Sequence, residues 1–483
     1  MRIDKITGML AAIALQISFG CIACVGEQPA LIPYPSMVQI LGGRSKAQSV
    51  KVRKDASLGA EAYALSVRAD GVEIRCSSPA GEFYAGKTLE QLRGADGSVP
   101  CAEIEDAPHF SWRGVLLDES RHFFGKQTVK RILDRMADYK LNLFHWHLVD
   151  SQGWRIQIDR YPELTKRGAV RPMPDWEHWI IDEGFGEYGP FFYTKDDIRE
   201  IVAYAAARHI RVVPEIEIPG HSRAVIMCYP QFSCVSKAEF MDMMRIPGKY
   251  DQSGAVCLGN DEVIRFFENV LDEVCELFPC DTVHIGGDEC PRENWKECAK
   301  CQARMKMLGI TEEAGLQSWV TAHFVKYLAK KNRRTVGWDE ILQGGLAPGA
   351  IVMSWRGHEG GIAAAETGHS VVMCPHRYCY LDYPTGEKDD RCVYPQFCLQ
   401  KGYTLPLEKV YSLNPYEGMP KEHHKYVIGS QSLNWTEATW NEKDLEYKMW
   451  PRTCASAEVL WTGPGARTFG DFLSRLKKRN GAQ

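Results

Sequence analysis

The hydrophobic rhythm of the chain changes near residue 110. Before that point, from Gln48 to Ala107, apolar and polar residues alternate over short runs, in SVKVRK and then AYALSVRADGVEIRC. Ala69-Asp70-Gly71 supplies the turn of a hairpin between two of them. GEFYAGKTLEQLRG follows with amphipathic spacing and predicts one helix opened by Gly81, and Asp106-Ala107-Pro108 reads as the exit. The pattern predicts a small α/β domain of mixed strands and one helix over 30–108.

Past Trp112, nearly continuous apolar runs alternate with helical stretches. Predicted strands cover 113–120, 141–150, 211–221, 281–289, 335–340, 351–357, 370–375 and 425–437. Helical spacing fills the intervals, as in FGKQTVKRILDRMADYK, where Ile132, Met136 and Tyr139 recur on one face, and in 195–209 and 261–278. A short helix is expected from Gly360, and one final helix around DLEYKMWPRTCASAEVL. Eight strand-then-helix units predict a parallel (β/α)8 barrel, the TIM barrel, over 109–483. The fold class is therefore α/β, a barrel preceded by a small α/β domain. Segments 155–193 and 376–424 are long for barrel loops and are expected to line a site or cover it.

Composition narrows the function more than the fold. The 483 residues are 45% hydrophobic and 25% charged, ordinary for a globular protein, with a formal net charge of −4. Without a long Lys/Arg run, nucleic acid is excluded as the expected partner. The basic tail LSRLKKRN reads as the solvated end of a helix. At the other end, Arg2 and Lys5 precede the short apolar stretch GMLAAIALQISFG, so 1–24 reads as a signal segment. Export is expected: periplasmic, secreted, or held on the outer membrane as a lipoprotein through Cys21 or Cys24. No later stretch has the length of a transmembrane helix. Of 17 cysteines, two lie in the signal segment, and the odd remainder leaves at least one thiol unpaired even if all the others paired. Cys290, Cys298 and Cys301 include a C-x2-C pair but no fourth ligand nearby in sequence, so disulfides or buried thiols are expected there in preference to zinc.

The candidate chemistry sits at the predicted strand ends, where a barrel builds its active site. In strand order these are Asp118 with Arg121, Asp150, Glu217 with His221, and Asp288 with Glu289. Trp338 with Asp339, Trp355 with Arg356, Tyr380 with Asp382, and Trp435 with Glu437 complete the ring. Aromatic faces stack on pyranose rings, and carboxylates and Arg hold hydroxyls, so a sugar is the natural ligand. His145 and His147 make an H-x-H that can bind a metal, but they fall in mid-strand and are expected in the barrel interior. No metal and no cofactor is called for.

In order along 110–460, RGVLLDESRHFF, NLFHWHLVDSQGWRI, VVPEIEIPGH, HIGGDE, VGWDE, VMSW, YLDY and NWTE resemble the family 20 glycoside hydrolases, the β-N-acetylhexosaminidases. The resemblance implies exo-acting, retaining removal of terminal β-linked GlcNAc or GalNAc from glycans. The nucleophile would be the substrate's own acetamido oxygen, passing through an oxazolinium ion; this is the family's known exception to the two-carboxylate scheme. It implies Glu289 as general acid and base, and Asp288 holding the acetamide N–H. Arg121 and Glu437 would bind ring hydroxyls, and Trp338, Trp355 and Trp435 would wall the acetamido pocket, with Tyr380 and Asp382 beside them. Asp150 and His221 would form a relay behind Glu289. Glu217 stands where the family commonly has Asp. Three alternatives remain open: a disaccharide-releasing member of the family, a carbohydrate-binding protein with weak catalysis, and a two-carboxylate glycosidase using Glu217 as nucleophile.

Overall fold

The computed structural model describes residues 28–172, 174–175, 180–181, 187–246, 249, 251–389 and 401–481. The signal segment and the two lipoprotein-type cysteines lie outside the described residues.

The N-terminal unit is a five-stranded sheet in the order β1-β5-β3-β4-β2, formed by β1 (Met37–Ser45), β2 (Val50–Lys54), β3 (Tyr63–Arg68), β4 (Gly71–Cys76) and β5 (Val99–Asp106). Its helix α1 (Pro79–Leu92) begins two residues before the expected Gly81. Pro79 suits a first helical turn, and the Ser78 hydroxyl caps it by accepting from the Ala80 and Gly81 amides.

The barrel is closed by eight parallel strands: Trp112–Asp118, Leu143–His147, Arg211–Glu215, Thr282–His284, Arg334–Trp338, Ile351–Ser354, Val371–Met373 and Val427–Asn434. The eighth pairs with the first from Gly429–Trp112 to Asn434–Leu117. The expected TIM barrel is therefore present, but its strands stop short of the expected C-terminal ends. Val149–Asp150 turns out of the second strand to pair antiparallel with Gly153–Trp154. The fourth strand ends at His284, because Gly286 and Gly287 adopt φ of +64° and +100°. The single final helix is two, Glu442–Met449 and Arg452–Thr462, divided at Pro451, whose missing N–H and fixed ring interrupt a helix.

Buried charge joins the two units. Asp106 at the end of β5 accepts from Lys140 Nζ (2.8 Å), from Tyr63 (2.6 Å) and from the Trp461 indole (2.8 Å). The buried Arg113 of the first barrel strand forks onto both oxygens of Glu61, at 2.8 and 3.0 Å. The basic tail is not wholly solvated either. It forms a helix, Phe469–Gly481, whose buried Arg475 pairs with both oxygens of Glu458. Among the described residues no helix is long and apolar enough to cross a membrane.

Candidate active site

Residues at the C-terminal strand ends converge on one acidic and aromatic pocket. Arg121, just past the first strand, is almost buried, and its guanidinium lies 3.2 Å from Asp118, 2.7 Å from Asp150 and 3.1 Å from Glu437. It also faces the Trp435 ring at 5.2 Å, while Gln152 accepts from its Nε at 3.0 Å. Asp118 fixes this corner by accepting from the backbone and hydroxyl of Thr436. A rigid planar cation held by three carboxylates presents a fixed fork to a hydroxylated ring.

Asp288 and Glu289 are not strand residues. A strand would send consecutive side chains to opposite faces, but past Gly287 both acids reach the same His221 ring nitrogen. Nε2 of His221 lies 3.4 Å from Asp288 Oδ2 and 3.7 Å from Glu289 Oε2. His221 and Glu289 both hold left-handed backbones, φ +46° and +45°, which costs a non-glycine residue on the order of 1 kcal/mol and marks sites where position matters. On its other side His221 Nδ1 meets Asp150 Oδ1 at 2.9 Å. The expected Asp150–His221 pair therefore forms, and it is slightly nearer Asp288 than Glu289.

The charges follow from these distances. Burial alone would raise Asp150, but Arg121 and His221 outweigh it and hold its carboxyl well below the usual carboxylate range. Burial disfavours a charged His221, yet Asp150 and Asp288 keep it well above the ordinary imidazole value. Desolvation and the Asp288 charge raise Glu289 above the usual carboxylate value, although its side chain is 62% exposed.

Beneath the pocket lies a network built on Glu215, the last residue of the third strand. Glu215 contacts His145 (3.1 Å), His284 (2.9 Å), His147, and the Trp338 indole (2.8 Å). His147 Nε2 continues the chain to Asp150 Oδ2 at 3.0 Å. His145 and His147 thus occupy the barrel interior. The Glu215 carboxylate is shared among the three histidines and anchors the Trp338 indole.

Glu217 behaves differently. It is buried against Gly286, where an added Cβ would lie 1.9 Å from its Oε2. Its carboxyl has no hydrogen-bond partner among the described residues. Burial, Asp288 and Glu215 push it well above the usual carboxylate range, which favours its neutral form. Glu340 is raised too, to about 8, by burial, Asp288 and Asp339, and it accepts from the Trp355 indole at 3.0 Å.

The aromatic wall is continuous. Trp338 and Trp435 lie 5.9 Å apart between ring centroids, Trp435 and Tyr380 6.1 Å, and Tyr380 stacks on Trp355 at 6.0 Å. Tyr380 is raised by burial, then by Tyr383 and Asp382, so its hydroxyl keeps its proton and can donate. Half-buried Asp382 lies two residues beyond it. Asp339 and Arg356 turn toward each other at 2.6 Å, tying the fifth strand end to the sixth.

Sequence reasoning passed over Glu215, Glu340 and Gln152. The alternation in PEIEI offered Glu215 and Glu217 on one side of the chain, and only burial and partners separate their roles.

Residues 110–464 match the model of the glycosyl hydrolase family 20 catalytic domain, and residues 42–107 that of glycosyl hydrolase family 20, domain 2. A β-hexosaminidase of Porphyromonas gingivalis is 41% identical over 90% of this chain, which spans 55% of that protein's length. One from Akkermansia muciniphila is 33% identical, over 95% of this chain and 91% of its own length. The crystal structure of the exo-β-N-acetylglucosaminidase of Vibrio harveyi with N-acetylglucosamine superposes with a TM-score of 0.83. The two are 29% identical, with 94% of this chain and 76% of that one covered.

Proposed function

The chain belongs to glycosyl hydrolase family 20, and from that premise we propose that it removes terminal non-reducing β-linked N-acetylhexosamine from glycans, with retention and through an oxazolinium intermediate. One observation carries the reading. The paired acids Asp288 and Glu289 converge on one histidine nitrogen, at 3.4 and 3.7 Å, and so do not bracket a sugar from two sides. The family's substrate-assisted scheme needs no second protein carboxylate as nucleophile. Burial raises Glu217 and Glu340 above the usual carboxylate range, and Asp118 and Asp150 are paired with Arg121. Membership of the family implies the substrate's own acetamido oxygen as nucleophile.

Glu289, the more exposed of the pair, protonates the leaving oxygen and afterwards takes a proton from water. Asp288 accepts from the acetamide N–H and stabilises the positive charge that grows there. His221, held cationic by Asp150, offsets part of the acidic charge and positions both acids. Arg121 and Glu437 hold ring hydroxyls, and Trp338, Trp435, Tyr380 and Trp355 enclose the acetamido methyl and sugar face. Tyr380 donates to the carbonyl oxygen, and Asp382 lies beside it. On the charged-then-apolar N-terminus we place the enzyme outside the cytoplasm.

The test is release of nitrophenol from its β-GlcNAc and β-GalNAc glycosides beside its β-glucoside. Cleavage of the acetamido sugars alone supports the reading. Equal cleavage of the glucoside would remove substrate assistance and return Glu217 or another carboxylate as nucleophile. Activity confined to disaccharide glycosides would point to the disaccharide-releasing alternative.

A further inference from the structure

Behind the active-site loops, and outside the machinery described above, four cysteines meet. Cys234, Cys257, Cys298 and Cys301 place their sulfurs all within 4.8 Å of one another. Cys257 lies 3.6 Å from Cys298 and 3.7 Å from Cys301, and Cys301 lies 3.7 Å from Cys234. Cys257, Cys298 and Cys301 are buried and Cys234 is half-buried. The C-x2-C pair that lacked a partner nearby in sequence thus gains two ligands from 41 to 67 residues upstream.

The spacing matches a tetrahedral thiolate site. Zinc–sulfur bonds of about 2.3 Å give tetrahedral edges of about 3.8 Å. Disulfides need about 2.05 Å and segregate sulfurs into pairs, whereas here Cys257 and Cys301 each have two near neighbours. The backbone is shaped for the cluster as well. Cys298 is the N-cap residue of the ten-residue helix Ala299–Leu308 and Cys301 lies in its first turn, so one helix start carries both sulfurs. The Gly259 amide faces the Cys257 sulfur. An added Cβ at Gly259 would fall 2.1 Å from the Lys300 carbonyl carbon, so only glycine lets the Cys257 turn lie against the C-x2-C turn. The Cys257 amide in turn donates to Phe232 O at 2.7 Å, bringing in the segment that carries Cys234.

We infer that these four cysteines bind a structural zinc ion that clips the loop after the third barrel strand to the loop after the fourth. The first loop carries His221 and the second carries Asp288 and Glu289. Asn294 Nδ2 to Gln252 O (2.9 Å) and the Trp295 indole to Val256 O (3.0 Å) join the same two loops around the site. Zinc replaces four thiol protons, which leave to solvent, and no redox step is involved.

The test is zinc content of the purified protein by elemental mass spectrometry, with intact mass and thiol counting on the same sample. One equivalent of zinc, released as a thiol-reactive mercurial titrates the protein, is the expected result. Cys301→Ser should reduce zinc to near zero and lower Tm, while Cys454→Ser, at a buried cysteine in another part of the fold, should keep full zinc. Should the Cys301 variant fail to fold, the wild-type measurement decides alone. Metal-free protein overturns the inference, whether its four thiols all alkylate or its mass is lighter by the hydrogens of two disulfides.

Discussion

At the scale of single residues, Asp288 and Glu289 share an environment but not a task. Glu289 must be protonated to act as the acid, so activity is lost as pH rises through its pKa, which partial burial and Asp288 raise. Asp288→Asn removes that neighbouring charge and should move the alkaline limb of the kcat/KM profile to lower pH. It should also cost kcat roughly 10²–10³-fold through lost transition-state stabilisation. An unmoved limb would show that Asp288 does not set the protonation of Glu289. Glu289→Gln should cost roughly 10²–10⁴-fold on natural β-glycosides, and less on nitrophenyl glycosides, whose leaving group needs little protonation. Side-by-side kcat values on the two substrate types check this. The residue types at the strand ends could be read from sequence, whereas the raised proton affinity of Glu217 and Glu340 could not. Protonation depends on burial and on charges brought close by folding, and nothing local in PEIEI or WDE encodes either.

At the scale of elements, the fourth strand matters most. Its apolar run signalled a strand, but two glycines with positive φ stop it at His284 and swing both acids onto one side. Gly286 is also where the chain passes over Glu217. Gly286→Ala would push a Cβ to within 1.9 Å of that carboxyl, at φ +64°, and should destabilise the fold by about 2 kcal/mol or more and abolish most activity. Gly86→Ala in α1 is the matched control: nothing lies within 4 Å of the added Cβ, and a gain of about 0.5–1 kcal/mol is expected. Urea midpoints for the two variants, shifting in opposite directions, would establish the difference; equal midpoints would refute it. Helix starts were partly legible, since Ser78-Pro79 is itself a start signal that the Gly81 boundary passed over. The break at Pro451 was legible for the same kind of reason.

At the scale of the whole molecule, the N-terminal unit is fastened to the barrel by paired charges taken out of water. Asp106 neutralises Lys140 deep in the junction, the two side chains being 0% and 1% exposed. Asp106→Asn leaves that ammonium buried without a counter-charge and should cost about 3–5 kcal/mol, against almost nothing for the exposed neighbour change Glu105→Gln. Denaturant unfolding of both proteins measures it, and a small Asp106 effect would mean water reaches Lys140. Sequence alone determined the class of fold, the family resemblance and the end of the barrel that carries the chemistry. Hydrophobic period records which face of each element is buried, and eight strand-helix units have few ways to close. Only the tertiary structure decided which distant side chains meet: Glu215 with three histidines, Arg121 with Asp150 and Glu437, and four cysteines from two loops. Those encounters depend on loop closure between segments tens of residues apart, and local pattern carries no record of it.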